Sequence, residues 1–202
     1  GEEVLSTLNE LAGALPKTEF VAALLTSLRE AYQPGHGMAD AFGRWMDTLL
    51  GSRGLVVYDS SDPGAKPLVT RIFARELEEP ERTSQLAAQA GDELVELGYH
   101  AQVTPRDGPA LFHLDGGRRA IRRQGDGYML AETRHETAAL LRRVITEPAA
   151  FSPNVLLRPI VQDTLFPTIC YVAGPNELGY QAQLRAVYEH FGVPMPLYYP
   201  RV

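Results

Sequence analysis

The chain has 202 residues and a mass of 22.2 kDa, room for one good-sized domain or two small ones, and its 45% apolar and 22% charged residues exclude a mainly disordered chain. A net charge of -6 and a pI of about 5.4 argue against general nucleic-acid affinity, which needs a basic surface. No apolar run approaches the roughly 20 residues that cross a bilayer, no signal-peptide pattern opens the residues present, and the single cysteine, Cys170, fits a reducing compartment such as the cytoplasm.

The first fifty residues read as helices. Phe20, Leu24, Leu25 and Leu28 recur at helical spacing within 19–32, with Thr18 as the expected N-cap. After a Pro34-Gly35 break, a second amphipathic helix is expected over 38–50, ended by Gly51. The run 54–58 (GLVVY) predicts a buried strand that empties into the polar turn 59–64, and helices follow over 65–78 and 81–97. Short alternating segments at 100–103, 110–114, 119–123 and 128–130, separated by Asp-Gly and Gly-Gly turns, predict a small antiparallel meander. A helix is expected over 132–145. The last fifty residues return to strand, turn and helix: strand 166–173, a helix running to His190, and a final strand at 195–200. Strands 55–58, 168–173 and 196–199 are expected in one mostly parallel sheet, covered by helices on both faces.

Several chemical signatures are missing, among them C-x-x-C, H-E-x-x-H, a P-loop and G-x-S-x-G. His36, His100, His113, His135 and His190 lack ligand spacing, so structural or surface roles are expected and no metal site. Cys170, within an apolar strand, is expected to fill core. The turn 174–177 (GPNE) lies where open α/β sheets bind ligands, beyond a strand's carboxyl end. There Gly174 allows close approach, Asn176 can cap, and Glu177, Tyr180 and Gln183 fall in the first helical turns. An ordinary capped helix, with Glu177 favoured by the dipole, is the alternative. In 151–159 (FSPNVLLRP), Pro159 marks a helix start and sets Asn154 and Arg158 on the approach, with Gln162 and Asp163 in the first turns. A guanidinium there can clamp a carboxylate, or Arg158 pairs with Asp163 instead. Asp59 and Ser60, at the end of run 54–58, are secondary candidates, the alternative being an Asx-turn and a helix cap at Asp59 and Asp62.

The runs FSPNVLLRPIVQDTLFPT (151–168), AGPNELGYQAQL (173–184), FGVPMP (191–196) and PR (200–201) closely resemble the bacillithiol-biosynthesis cysteine-adding enzymes, as do GLVVYDSSDP (54–63) and ELGYH (96–100) upstream. The resemblance covers essentially the whole chain. Asn176-Glu177-Leu178-Gly179 departs from it, since the family more usually shows Gly-Glu followed by an apolar and a small residue. The resemblance implies an α/β fold with a Rossmann-like, nucleotidylyl-transferase-type core carrying a small antiparallel insertion and several helices. On this reading 1–53 is a helical connecting segment, 54–98 an α/β core segment, 99–131 the antiparallel insertion, and 132–202 the C-terminal part of the core. A start at Gly1-Glu2-Glu3 without methionine and an end at Val202 suggest the middle of a longer enzyme, without its N-terminal Rossmann half and that half's Gly-Gln-Gln and His-Asp motifs, without its C-terminal coiled coil, and inactive alone.

The implied reaction is amide formation between the carboxylate of cysteine and the amine of glucosaminyl-malate. A carboxylate acylates an amine only once activated, as an acyl-adenylate for example, so ATP with a divalent cation is the implied cofactor. Arg158 or Arg201 would meet the malate carboxylates, and Glu177 or Asp163 would accept the amine proton. A homodimer is expected for the full-length protein. The competing readings are a nucleotide- or sugar-phosphate-binding module and a catalytically silent fragment.

Overall fold

The computed structural model describes residues 2–201; Gly1 and Val202, the two ends noted above, lie outside them. The chain divides into two compact units, Gly1–Ser61 and Asp62–Val202. Among the described residues, no helix is long and apolar enough to cross a membrane.

The first unit contains α1 (Glu2–Ala14), α2 (Val21–Ala31) and α3 (Met38–Leu50), then a 3-10 turn, Gly51–Arg53. Leu25 and Leu28 of α2 are buried, and the Trp45 indole N–H of α3 donates to Ser27 Oγ at 3.1 Å. Helix α2 starts later than its periodicity suggests. Phe20 occupies the N-cap without a side-chain bond, and Thr18 contributes only its carbonyl, to Val21 N–H. The run 55–58 forms no strand, and Leu55, Val56 and Val57 are exposed. Apolar, β-branched composition is not enough, because a strand exists only where a neighbour completes its hydrogen bonds.

The second unit begins with a 3-10 turn, Lys66–Val69, followed by α4 (Thr70–Glu78) and α5 (Arg82–Glu96). Strands β1 (Leu111–Leu114), β2 (Arg118–Gln124), β3 (Gly127–Leu130) and β4 (Thr133–Glu136) form successive hairpins, and α6 (Thr137–Thr146) follows. Strand β5 (Phe151–Pro153) then returns to pair with β1, giving an antiparallel sheet of order β4-β3-β2-β1-β5. Glycines at positive φ, Gly116 and Gly125, make the first two turns, whereas Ala131 carries that conformation in the third. Phe73 and Leu77 of α4, Leu140 of α6, Ile121 of β2 and Phe151 of β5 join one buried core.

This sheet is larger than the predicted meander. Residues 100–103 form no strand, while β4 takes up residues predicted as helix. Thr133–Glu136 carries no aliphatic residue to signal a strand. Its hydrogen-bonded partner is β3, set by the Ala131-Glu132 turn.

The remaining elements are α7 (Arg158–Leu165), β6 (Cys170–Ala173), α8 (Pro175–Ala182), α9 (Arg185–Phe191) and β7 (Leu197–Pro200). Strands β6 and β7 pair in parallel as expected, with Cys170 opposite Leu197, but no strand at 55–58 joins them. Pleating puts Tyr171, Ala173 and Tyr198 on the face toward α8. On the other face Val172 is 57% and Leu197 73% exposed, and Cys170 is exposed rather than core. A sheet of two strands leaves that face uncovered. The predicted helix up to His190 is two helices, broken at Gln183 and Leu184.

Candidate functional site

Two strand ends build the site. At the first, Asn154 N–H donates to the Ala110 carbonyl at 2.8 Å, and Asn154 Oδ1 accepts the N–H groups of Leu156 (2.8 Å) and Leu157 (3.3 Å). This turn aims the chain into α7, with Pro159 in the first helical turn, where its missing N–H costs nothing. Arg158 and Gln162 are thereby presented outward.

At the second strand end Gly174, not Asn176, is the N-cap of α8. Gly174 N–H donates to Glu177 Oε2 at 2.7 Å, half of a capping box. The Tyr171 hydroxyl donates to Glu177 Oε1 at 3.3 Å, and the Arg201 guanidinium stands 3.8 Å away. The Gly174 bond above all, then Tyr171 and Arg201, holds this carboxyl below the usual carboxylate range, so Glu177 is ionised at neutral pH. A side chain at Gly174 would crowd Arg201, its Cβ falling 3.0 Å from a guanidinium nitrogen. The Tyr180 hydroxyl of α8 donates to the Val155 carbonyl, tying the two strand ends together, and burial pushes its pKa up.

Between them lies a cleft of about 460 Å3. Arg158, Gln162, Glu177 and Tyr180 line it as the sequence predicts, joined by Gln102 and Tyr171. Other predicted residues fall elsewhere. Asn154 lines an adjoining cleft. Gln183 is fully buried: its Oε1 accepts Val103 N–H at 2.9 Å, and its Nε2 donates to the Val103 carbonyl at 3.0 Å. Asp163 accepts the hydroxyls of Thr168 (2.7 Å) and Tyr188 (2.5 Å), one on each oxygen, and does not line the cleft. Asp59, in the first unit with Ser60, accepts Ser61 N–H at 2.8 Å in an Asx-turn.

Gln102 and Tyr171 were missed by sequence reasoning for different reasons. Tyr171 lies inside an apolar strand and reads as core. Gln102 is in a segment read as a strand, and the bonds from Gln183 to neighbouring Val103 hold that segment in place. Among the described residues, no three His, Cys, Asp or Glu side chains gather to hold a metal ion.

The family model for the N-terminal Rossmann-like domain of the bacillithiol biosynthesis protein BshC matches residues 1–202, which corrects the expectation of a middle piece without the N-terminal Rossmann half. The chain belongs to the BshC family. Relatives named "Putative cysteine ligase BshC" include those of Salinibacter ruber, 39% identical over 99% of this chain and 37% of the relative, and Chloroherpeton thalassium, 38% identical over 95% and 35%. That of Chlorobaculum tepidum is 36% identical over 100% of this chain and 36% of its own length. The chain thus spans just over a third of the BshC relatives it matches. Most of the cleft lining comes from the runs 151–168 and 173–184, which carry the family resemblance, while Gln102, Val103 and Tyr171 lie outside them.

Proposed function

We propose that the cleft serves a carbon–nitrogen ligase of bacillithiol biosynthesis, in which the amine of glucosaminyl-malate attacks the activated carboxyl of cysteine. The observation that carries this reading is one cleft with a guanidinium, Arg158, on one wall and an ionised carboxylate, Glu177, on another. Those two charges suit a substrate that is anionic at one end and an amine at the other. Arg158 makes no ion pair among the described residues, so its fork is available to a carboxylate.

A carboxylate of lowered pKa is a weak base and does not readily strip a free ammonium. It suits two other tasks: orienting the amine by charge, and accepting the proton that becomes acidic once nitrogen has attacked. Asp163, with a hydroxyl on each oxygen, orients α7 against Tyr188 and is the weaker candidate for that proton.

The resemblance also implies ATP with a divalent cation, which would supply the activation. Among the described residues no metal-ligating cluster gathers for the cation, so no step is assigned through that group. Activity is accordingly proposed for the full-length protein.

In a full-length enzyme containing this chain, Arg158→Ala should raise KM for glucosaminyl-malate about ten- to a hundredfold, from loss of a charge-assisted contact, and leave KM for cysteine in place. Arg158→Lys should recover little, since a point charge does not reproduce the fork. A lowered melting temperature with unchanged substrate constants would instead make Arg158 a residue of the fold.

A further inference from the structure

Beside the first cleft lies a second, of about 420 Å3, and the two share Val103, Val155 and Arg158. Arg106, Arg118 and Arg158 line it, and no carboxylate does. In a chain of net charge -6, three guanidiniums in one hollow run against composition. None of the three makes an ion pair with Asp or Glu among the described residues. Arg118 is also held in place. Its NH2 donates to the Pro153 carbonyl at 2.8 Å, and its guanidinium lies 4.4 Å from the centre of the Phe112 ring, leaving other N–H groups for a ligand. Like charges gathered this way repel, and an anion with two charges relieves the repulsion for all three.

We infer that the second cleft is a subsite for a small dianionic group, gripped by Arg106, Arg118 and Arg158. The identity of that group rests on the ligase reading. With Glu177 in one cleft and three cations in the other, glucosaminyl-malate fits in a single orientation, its amine toward Glu177 and its malate carboxylates toward the arginines. Arg201, the other cation considered for malate, is drawn to Glu177 instead. A phosphoryl group shares the chemistry of a dicarboxylate, and the two are separated by experiment.

Titration calorimetry of the 202-residue chain uses L-malate as one probe and inorganic pyrophosphate as the other. Arg106→Ala is the informative variant, because that guanidinium makes no hydrogen bond or ion pair within the described fold. It should weaken malate binding about ten- to a hundredfold with an unchanged melting temperature. Arg118→Lys, which keeps the charge and loses the fork, should weaken it about tenfold. Pyrophosphate bound in place of malate, and lost in the same variants, would keep the subsite and overturn the amine-and-dicarboxylate ligand. Binding of neither probe, or binding indifferent to both arginine substitutions, would overturn the subsite; the amide assay tests the ligase reading separately.

Discussion

Glu76 of α4 is fully buried, accepting Ala110 N–H at 2.6 Å and the Thr83 hydroxyl. Burial outweighs both bonds and pushes its carboxyl up to about 7. A carboxyl raised in the folded state favours folding fully below its unfolded value, near 4.5, and that contribution is lost as pH rises through about 7. The loss amounts to about 3 kcal/mol. Glu76→Gln keeps an oxygen for Ala110 and offers an N–H to the Thr83 oxygen. The variant should therefore gain stability over the parent between pH 5 and pH 8, read as the difference in urea midpoints. His113 and His190, lowered chiefly by burial, push the pH slope the opposite way, but both proteins share them and the subtraction removes them. A difference that stays flat with pH would mean that Glu76 does not titrate in this window. At this same scale, the sequence disclosed Arg158 and Gln162 because Pro159 fixes where their helix starts, and Glu177 and Tyr180 because they follow a strand end, although it offered Asn176 rather than Gly174 as the cap. It did not disclose that Gln183, one turn beyond Tyr180, faces inward.

Among the elements, α5 and the α8–α9 break are locked together. Replacing glycine by alanine inside a helix ordinarily stabilises by about 1 kcal/mol, yet Gly91 of α5 should show the reverse. A Cβ there would stand 2.9 Å from Gln183 Nε2 and 3.4 Å from Ala101 Cβ. Gln183 does not yield easily, because its amide holds both the N–H and the carbonyl of Val103 and also reaches the Ala87 carbonyl at 3.4 Å. Gly91→Ala should cost about 1–3 kcal/mol by overpacking. Gln183→Ala should cost about 2–5 kcal/mol, through orphaned backbone groups and a cavity. Once Gln183 is alanine the obstruction is gone, and Gly91→Ala should become neutral or stabilising. A double-mutant cycle in urea measures this coupling, and additive effects would dissociate Gly91 from Gln183.

At the scale of the whole molecule, the antiparallel sheet has a covered core and the β6–β7 pair does not. A lone two-stranded sheet is marginal in water, and here Ile169, Val172, Leu197 and Tyr199 remain exposed around Cys170. The native chain should therefore let a thiol reagent modify Cys170 within about tenfold of the rate in urea, because the folded chain already exposes the thiol. Amides of β6 and β7 should exchange well before those of β2 and β3. Protection of Cys170 by several orders of magnitude would show that this face is covered in solution.

Local features were legible in the residues alone: helix α3 to its terminal residues, the two glycine-containing hairpin turns, the helix start at Pro159, and the runs that mark the BshC family. Each of these depends on side chains and backbone preferences within a few residues of one another. Which apolar runs become strands, and which of their faces are covered, is settled by tertiary partners, since residues 55–58 and β6 are both short apolar runs ending in a polar turn and one of them forms a strand. The tertiary structure alone returned β5 to β1 across about forty residues and carried Asn154 and Arg158 to Arg106 and Arg118. Strand pairing and charge clustering are set by partners distant in the chain, and local sequence carries no record of which partner arrives.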